Sequence, residues 1–386
     1  MSTAQQRLAS ISSQLAAPPN SKRNLLRKDP DDIAVREKSN LDPATVEEIV
    51  LGNVHHPFPS FPLRAAAIAA GFPPTTATST VSRWCSSGLL AVQSVAGQIL
   101  SGAIDIGIAV GAENMSRNGE IKADLDETLT SIPQIHDLTM PMGWTSENVA
   151  AEFNVTREEQ DEYAAETWRR AEISQKAGWP VEEIVPITTQ WKHPQTSEAK
   201  TVTVTKDEGI RYGTTKETLA KLRGAFPKWP PSTTTAGNAS QLTDGAAALV
   251  LMKRKTAEKL GQPILGRFVT STVVGLEPRI MGIGPAYAIP KVLSKVGLSK
   301  DEIDIFEINE AFASMAAYCV KELGLPREKV NPRGGAIAFG HPLGCTGTRQ
   351  IVTALAELKR QGKQIAVTSM CVGTGMGMAS VIVSEQ

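Results

Sequence analysis

The chain is poor in features that would commit it early to one class. Among 386 residues there are only four cysteines, Cys85, Cys319, Cys345 and Cys371. They lie far apart with no CxxC pair, which argues against a disulfide framework and a zinc knuckle and leaves them as reduced thiols. There is no excess of either charge. Forty Lys and Arg balance forty Asp and Glu, so no global basic field exists to hold nucleic acid or an anionic membrane. No apolar run approaches the ~20 residues that span a bilayer; the longest, Ala65 to Phe72, is closed by Pro73 and Pro74. No Walker lysine accompanies a glycine-rich loop, and GTGMG at 373–377 lacks the dinucleotide spacing. The remainder is ordinary, with 41% hydrophobic and 21% charged residues. That composition suits a globular protein, and the length suits two or three domains.

Residues 1–32, rich in Ser, Gln, Pro and basic side chains, show little core-forming pattern and read as a leader. Within them Leu8, Ile11 and Leu15 fall at i, i+3 and i+7, enough for one short amphipathic face. From Val46 the texture is α/β. Strands are expected at Ile49–Val54 and Ile104–Val110, and helices at Arg64–Ala70 and Ser86–Leu100, the latter closed by Gly102. Such alternation predicts parallel strands with crossover helices. Thr156 and Glu159 form a capping box that opens a polar helix running to Gly178. Residues 116–233 are otherwise polar and interrupted, and look like an insertion. Core texture returns at Gly245–Met252, and a strand is expected at Ile303–Ile308.

The second half repeats the first. Cys85-Ser-Ser-Gly, a helix, Gly102, the strand to Val110 and Gly111 match Gly344-Cys-Thr-Gly, the helix Gln350–Arg360, Gly362, the strand Ile365–Ser369 and the Cys371-Val-Gly turn. A duplicated α/β fold is the simplest explanation.

Three segments carry chemistry. In SRWCSSGL, Cys85 stands where a loop becomes a helix, and exposed N–H groups with the helix dipole there favour thiolate. In NPRGGAIAFGHPLGCTG, five glycines surround His341, which is the one histidine of five whose setting looks built; His55 and His56 adjoin Pro57, and His136 and His193 lie in polar stretches. Cys371 offers a second thiol on a glycine-rich loop after the last strong strand. Three of the four cysteines stand beside Gly or Ser, a setting that suits reactivity better than packing. Asn309, in NEAFA after the strand ending at Ile308, is placed to orient a water or a carbonyl. A papain-like protease lacks its CGSCW signature here, and Cys85 and His341 are 256 positions apart. A redox pair needs a spatial neighbour that sequence does not reveal. Two thiols and a histidine on paired glycine loops suit carbon–carbon bond chemistry on a thioester.

These motifs together resemble the thiolase family, most of all its peroxisomal 3-ketoacyl-CoA branch: SRWCSSGL, GAENMS at 111–116, MGWTSENVA at 142–150, TTAGNASQLTDGAAA at 234–248, NEAFA at 309–313, GGAIAFGHPLG at 334–344 and CVGTGMG at 371–377 occur in family order. The resemblance covers roughly residues 40–386. It implies an α/β thiolase fold of two similar five-layered halves, residues 22–115 with 234–262 and residues 263–386, around an inserted loop domain at 116–233. The leader, 1–21, resembles the family's N-terminal peroxisomal signal, with Arg7-Leu8, five residues, then Gln14-Leu15. An import receptor would then be a partner, as would a second copy of the chain in a homodimer.

The activity implied is thiolysis of 3-ketoacyl-CoA by CoA, with CoA as a substrate and no metal or redox cofactor. Within the family an acetoacetyl-CoA thiolase is the alternative. By resemblance Cys85 takes the acyl chain and His341 its proton, while Cys371 exchanges protons with the departing acetyl-CoA and the incoming CoA. His341 and a water on Asn309 hold one oxyanion, and the N–H groups of Cys85 and Gly373 hold the other. Arg223, Ser240, Met142 and Phe312 are implied as CoA and substrate contacts. One departure stands out. Family members open with a strand, an Arg-Thr-Pro-Gly-like turn and a helix, whereas here Asp31-Asp-Ile-Ala-Val runs straight into Arg36-Glu-Lys-Ser-Asn. A strand-to-helix unit is therefore expected to be missing, with Ile33–Val35 as the only stub, and a non-catalytic acyl-CoA binder becomes a third reading. HHPFPSFP at 55–62 also replaces a loop that is usually richer in glycine.

Overall fold

The computed structural model describes residues 26, 28, 33–36, 40–119, 125–192, 196 and 198–386. The leader at 1–21, with its Arg7-Leu8 and Gln14-Leu15 spacing, and His193 lie outside the described residues.

The first half contains strands β1 (Ile33–Arg36), β2 (Glu48–Gly52), β3 (Ala77–Val81) and β4 (Ile106–Asn114), with helices α1 (Ser60–Ala69) and α2 (Ser87–Ser101). Next come α3 (Met142–Glu152), α4 (Arg157–Lys176) and the hairpin β5 (Ile187–Lys192) and β6 (Ala199–Val204), before β7 (Asp244–Lys253) returns to the main sheet. The second half contains β8 (Gly266–Gly275), α5 (Gly284–Val296), β9 (Ile305–Ile308), α6 (Ala313–Glu322), α7 (Leu343–Gln361), β10 (Ile365–Val372) and β11 (Met376–Ser384). No helix among the described residues is long and apolar enough to cross a membrane.

Nine strands form one sheet in the order β3-β2-β4-β7-β1-β8-β11-β10-β9. Read outward from the β1–β8 seam, each half repeats one plan. β1, β7, β4, β2 and β3 match β8, β11, β10 and β9, and a bridge from Phe306 to Val330 stands in for the fifth strand. The expected duplication is thus a topological fact. The expectation of parallel pairing needs correcting, because among the strand pairs of the described residues only β2 with β3 and β4, and β9 with β10, run parallel, as does the Phe306–Val330 bridge. The seam and the closing strands are antiparallel.

Side-chain alternation then sets the layers. Inward residues of both halves (Ile33, Val50, Ala109, Leu249, Leu251, Ala366, Met370, Ile382) share one core with Leu89, Val92 and Val95 of α2 and Ile351, Leu355 and Leu358 of α7. Outward residues make two further cores, one per half. The order is helix, sheet, paired central helices, sheet, helix, so the five layers belong to the whole chain rather than to each half. The central helices meet closely. A Cβ on Gly88 would lie 2.6 Å from the carbonyl oxygen of Gly344, and one on Gly347 would lie 2.4 Å from the backbone nitrogen of Leu89. Only glycine permits that contact, and this is why both small-residue turns contain it.

The missing unit also needs correcting. The opening strand is present: β1 pairs antiparallel with β7 on one side and β8 on the other. Its backbone groups therefore have ladder partners, and the seam is closed. Among the described residues, what is absent is an α-helix between β1 and β2. In the second half β8 ends at Gly275, β9 starts at Ile305, and α5 lies between them, burying Ala288, Ile289, Val292, Leu293 and Val296. In the first half β1 ends at Arg36 and β2 starts at Glu48. The outward face there is less covered. Ile108, Val110 and Ala112 of β4 are half-buried, and Ala246 and Ala248 of β7 are exposed, whereas Ala379 and Val381 of β11 are fully buried. A cavity of ≈ 550 Å³ reaches this strip, bordered by Val110, Ala246 and Ala248 and by Ile184, Val185 and Val204 of the inserted segment.

Candidate active site

The nucleophile candidate is positioned by strain and by two serines. β3 ends at Val81, and Trp84 then adopts φ 44°, a left-handed conformation that costs a non-glycine residue ~1–2 kcal/mol. Ser87 Oγ accepts from the Arg83 N–H at 2.9 Å and donates to the Trp84 carbonyl at 2.7 Å, while Ser86 Oγ donates to the Arg83 carbonyl at 3.0 Å. This clamp presents Cys85 just ahead of α2. The backbone N–H groups of Gly373 and of Cys85 itself act on its sulfur to favour the ionised form. Gly373 can come this close because it lacks a side chain: a Cβ there would sit 3.2 Å from the Trp84 ring.

The expected thiolate at a helix start is not what the environment favours. Cys85 is 7% exposed, and burial pushes its thiol up to about 11. The two N–H groups oppose that shift and the Glu113 charge adds to it. Cys85 rests as a thiol and needs a base.

His341 is the neutral group available to receive the thiol proton. It is 4% exposed, and desolvation, helped by the Arg349 cation, lowers its pKa to about 3. The ring is neutral at physiological pH. Nε2 lies 3.2 Å from Asn309 Nδ2, and Nδ1 lies 2.6 Å from Thr346 Oγ1. Gly340, at φ 93°, turns the chain into this position over Thr243, and the His341 N–H donates to the Gln241 carbonyl at 3.2 Å.

Further backbone bonds draw the other motifs together. The Ser240 N–H donates to the Ala311 carbonyl at 3.0 Å, Ala313 N–H to Asn238 at 2.8 Å, and Asn309 N–H to Ser369 at 2.9 Å. The TTAGNAS, NEAFA and GHPLG segments are thus stitched at one end of the sheet. Asn309 Oδ1 is buried without a protein partner. Ser240 is half-buried there, and Met142 and Phe312 are half-buried against a cluster of Met281, Ala311, Met315, Cys319 and Cys371. Cys371 lies within β10, which runs to Val372, rather than on the loop beyond it. Burial raises its pKa well above the ordinary thiol value, and a charge on Cys85 would raise it further, so the two thiols are electrostatic neighbours. Arg223 sits exposed on the inserted segment, and no hydrogen bond or ion pair ties it to the thiols.

The small-residue setting misleads at Cys345. This residue is 3% exposed, packs 3.7 Å from where a Gly245 Cβ would be, and is raised to about 12 by burial, as Cys319 is. Both are core residues. Sequence reasoning missed Thr346, Trp84 and Glu113. Glu113, buried in β4, accepts from the N–H groups of Val54, His55 and Gly344 at 3.0 Å each, and so locks the loop after β2 to the start of α7. The carboxylate within the GAENMS motif was its signal.

Two family models match: Thiolase, N-terminal domain, over residues 33–255 and Thiolase, C-terminal domain, over residues 262–384. The chain belongs to the thiolase family. It is 52% identical to the human protein named 3-ketoacyl-CoA thiolase, peroxisomal, covering 90% of this chain and 82% of that one. It is 43% identical to 3-ketoacyl-CoA thiolase A, peroxisomal, of Candida tropicalis, covering 98% and 100%. Among solved structures, the dimeric peroxisomal thiolase of Saccharomyces cerevisiae matches with a TM-score of 0.86 at 42% identity, over 94% of this chain and all of that one. The Candida match extends over 415 positions against 386 residues here, so that thiolase carries residues this one lacks.

Proposed function

We propose that this thiolase cleaves 3-ketoacyl-CoA with CoA, releasing acetyl-CoA and a shortened acyl-CoA, the last step of fatty-acid β-oxidation. His341 Nε2 takes the Cys85 proton as the sulfur adds to the 3-keto carbon, and the new oxyanion falls where the Cys85 and Gly373 N–H groups point. The bond between C2 and C3 breaks, Cys371 gives its proton to C2, and acetyl-CoA leaves an acyl-Cys85. The Cys371 thiolate then takes the proton of incoming CoA. The CoA sulfur adds to the acyl carbon, and Cys85 departs with the proton held on His341. The thioester oxygen has the protonated His341 Nε2 and a water on Asn309 Oδ1 as donors. Every proton returns, so the cycle needs no metal or redox cofactor, and CoA is a substrate throughout.

One observation carries this reading: a buried thiol, with two N–H groups favouring its ionised form, has a second thiol as its electrostatic neighbour, and a neutral imidazole stands on the loop whose helix start packs against the Cys85 helix, in a chain half-identical to named peroxisomal 3-ketoacyl-CoA thiolases. Met142, Phe312 and Ser240 would line the acyl and pantetheine path, and Arg223, exposed on the insertion, would meet the CoA phosphates. The chain would act as a homodimer in the peroxisome, delivered by an import receptor that reads Arg7-Leu8 and Gln14-Leu15. The test is thiolysis of long-chain against four-carbon 3-ketoacyl-CoA. Faster turnover of long chains supports the reading, preference for four carbons would favour an acetoacetyl-CoA thiolase, and tight binding without turnover would indicate an acyl-CoA binder. A fluorescent fusion that keeps residues 1–20 should be punctate and lose that pattern when residues 1–15 are removed.

A further inference from the structure

A buried imidazole can act as a base only if the correct nitrogen carries the lone pair, and the partner of the other nitrogen decides this. Thr346 Oγ1 lies 2.6 Å from His341 Nδ1 and 3.1 Å from the Pro342 carbonyl, one helical turn back. The Pro342 carbonyl can only accept, so it offers the hydroxyl proton a partner other than Nδ1, and with the proton there the lone pairs face Nδ1. Nδ1 then carries the ring proton. The opposite contact agrees: the Asn309 amide nitrogen stands 3.2 Å from Nε2, and an N–H donor there needs an unprotonated nitrogen.

We propose that Thr346 is the positioning residue that holds resting His341 in its Nδ1–H form, which keeps Nε2 unprotonated and able to receive the Cys85 proton. The role rests on the thiolysis reading above, although the tautomer itself does not. A hydroxyl suits the task in a way a carboxylate would not. It orients the ring by a neutral hydrogen bond and offers no negative charge to stabilise the imidazolium. The ring is fixed without being made more basic, and it gives its proton back when Cys85 departs. Thr346 is 1% exposed in the first turn of α7, and the glycine contact between α2 and α7 ties that turn to the start of the Cys85 helix.

The test compares Thr346→Val, which keeps shape and loses the hydroxyl, with Thr346→Ser, which keeps the hydroxyl. Nitrogen-15 NMR of the imidazoles in the resting protein reports the tautomer directly. The wild type and Thr346→Ser should show Nδ1–H for His341, and Thr346→Val should show a mixture or Nε2–H. In thiolysis, Thr346→Val should lose ~10²-fold in kcat with KM little changed, as expected for a misdirected base, and Thr346→Ser should restore most of the rate. An Nε2–H wild type would overturn the proposal, and so would a Thr346→Val variant that keeps both the Nδ1–H form and the wild-type rate. The NMR result stands even if the wild type proves to have no thiolysis activity, so failure of the functional reading and failure of this one are distinguishable.

Discussion

Labelling kinetics of Cys85 separate two views of how this thiol becomes a nucleophile. With burial holding it at about 11, only one molecule in ~10⁴ carries a thiolate at pH 7, against about half if a helix start had lowered the pKa to ~7. An ion pair with His341 does not rescue the fraction, because an imidazole held near 3 takes the proton far less readily than the thiol keeps it. Iodoacetamide reacts with the thiolate, so the rate of Cys85 modification, followed by peptide mass, should climb close to tenfold per pH unit from pH 6 to 9 with no plateau. The upper limit follows from linkage. The unfolded thiol ionises near 9 and the folded one near 11, so the fold loses stability as pH rises above 9. Cys85 should still be labelled before Cys319 and Cys345, which burial raises further, to about 12. A plateau beginning below pH 8 would show that the native site holds a standing thiolate and that burial is not the dominant influence.

Three other outcomes are expected. Cys371→Ser should fold normally and lose at least ~10²-fold in turnover, the usual cost of removing an acid/base group; a wild-type rate would remove Cys371 from the mechanism. Gly88→Ala places a Cβ 2.6 Å from the backbone oxygen of Gly344, where no side chain can give way, so overpacking of ~1–3 kcal/mol should lower the melting temperature and the turnover together, and unchanged values in both would mean the central helices separate freely. Extending the β1–β2 link with a helix patterned on Gly284–Val296 should raise the melting temperature, since four large aliphatic side chains on that helix gain ~6–12 kcal/mol from burial before ordering entropy is subtracted. An unchanged melting temperature would show that the exposed strip is already adequately covered.

The long periodic elements were legible because their patterns match their burial: α2 ended at Gly102, α4 opened on its capping box, and β7 fell within two residues of its expected bounds. The start of α7 was hidden. A helix was expected from Gln350 and begins at Leu343, because Gly344 and Gly347 look like helix breakers until the partner helix that requires them is known. The motifs located Cys85, His341, Asn309 and Cys371 but not their electrostatics. A helix N-terminus contributes up to ~2 kcal/mol in favour of a thiolate, about 1.5 pKa units, whereas full burial moves a group by up to 3–5 units the other way. The helix-start argument was right in sign and too small. Exposure is a property of the folded whole, and no local segment displays it.

The same reasoning explains why a duplicated fold yields one site. Both halves bring a small-residue turn to the start of a central helix, and the glycine contacts at 88, 344 and 347 press those starts together. What each turn presents then differs. The first half offers a sulfur on a strained turn, clamped by Ser86 and Ser87; the second offers an imidazole on Gly340, braced by Thr346. The strand ends differ in the same way. Asn53 and Asn309 both follow the second strand of their halves, but Asn53 Nδ2 donates to the Ala112 carbonyl at 2.7 Å as structural cement, while Asn309 faces His341 and keeps a buried oxygen without a protein partner. The first half therefore spends its equivalent positions on holding the loop after β2, through Glu113 and Asn53, and the second leaves its own unsatisfied and aimed inward. Loss of a cover helix from the first half leaves this arrangement intact. Its seam strand β1 is still paired on both sides, and the groups drawn to the site are carried by strand ends and helix starts that the β1–β2 link does not contain. The expected penalty is to stability, with the chemistry preserved.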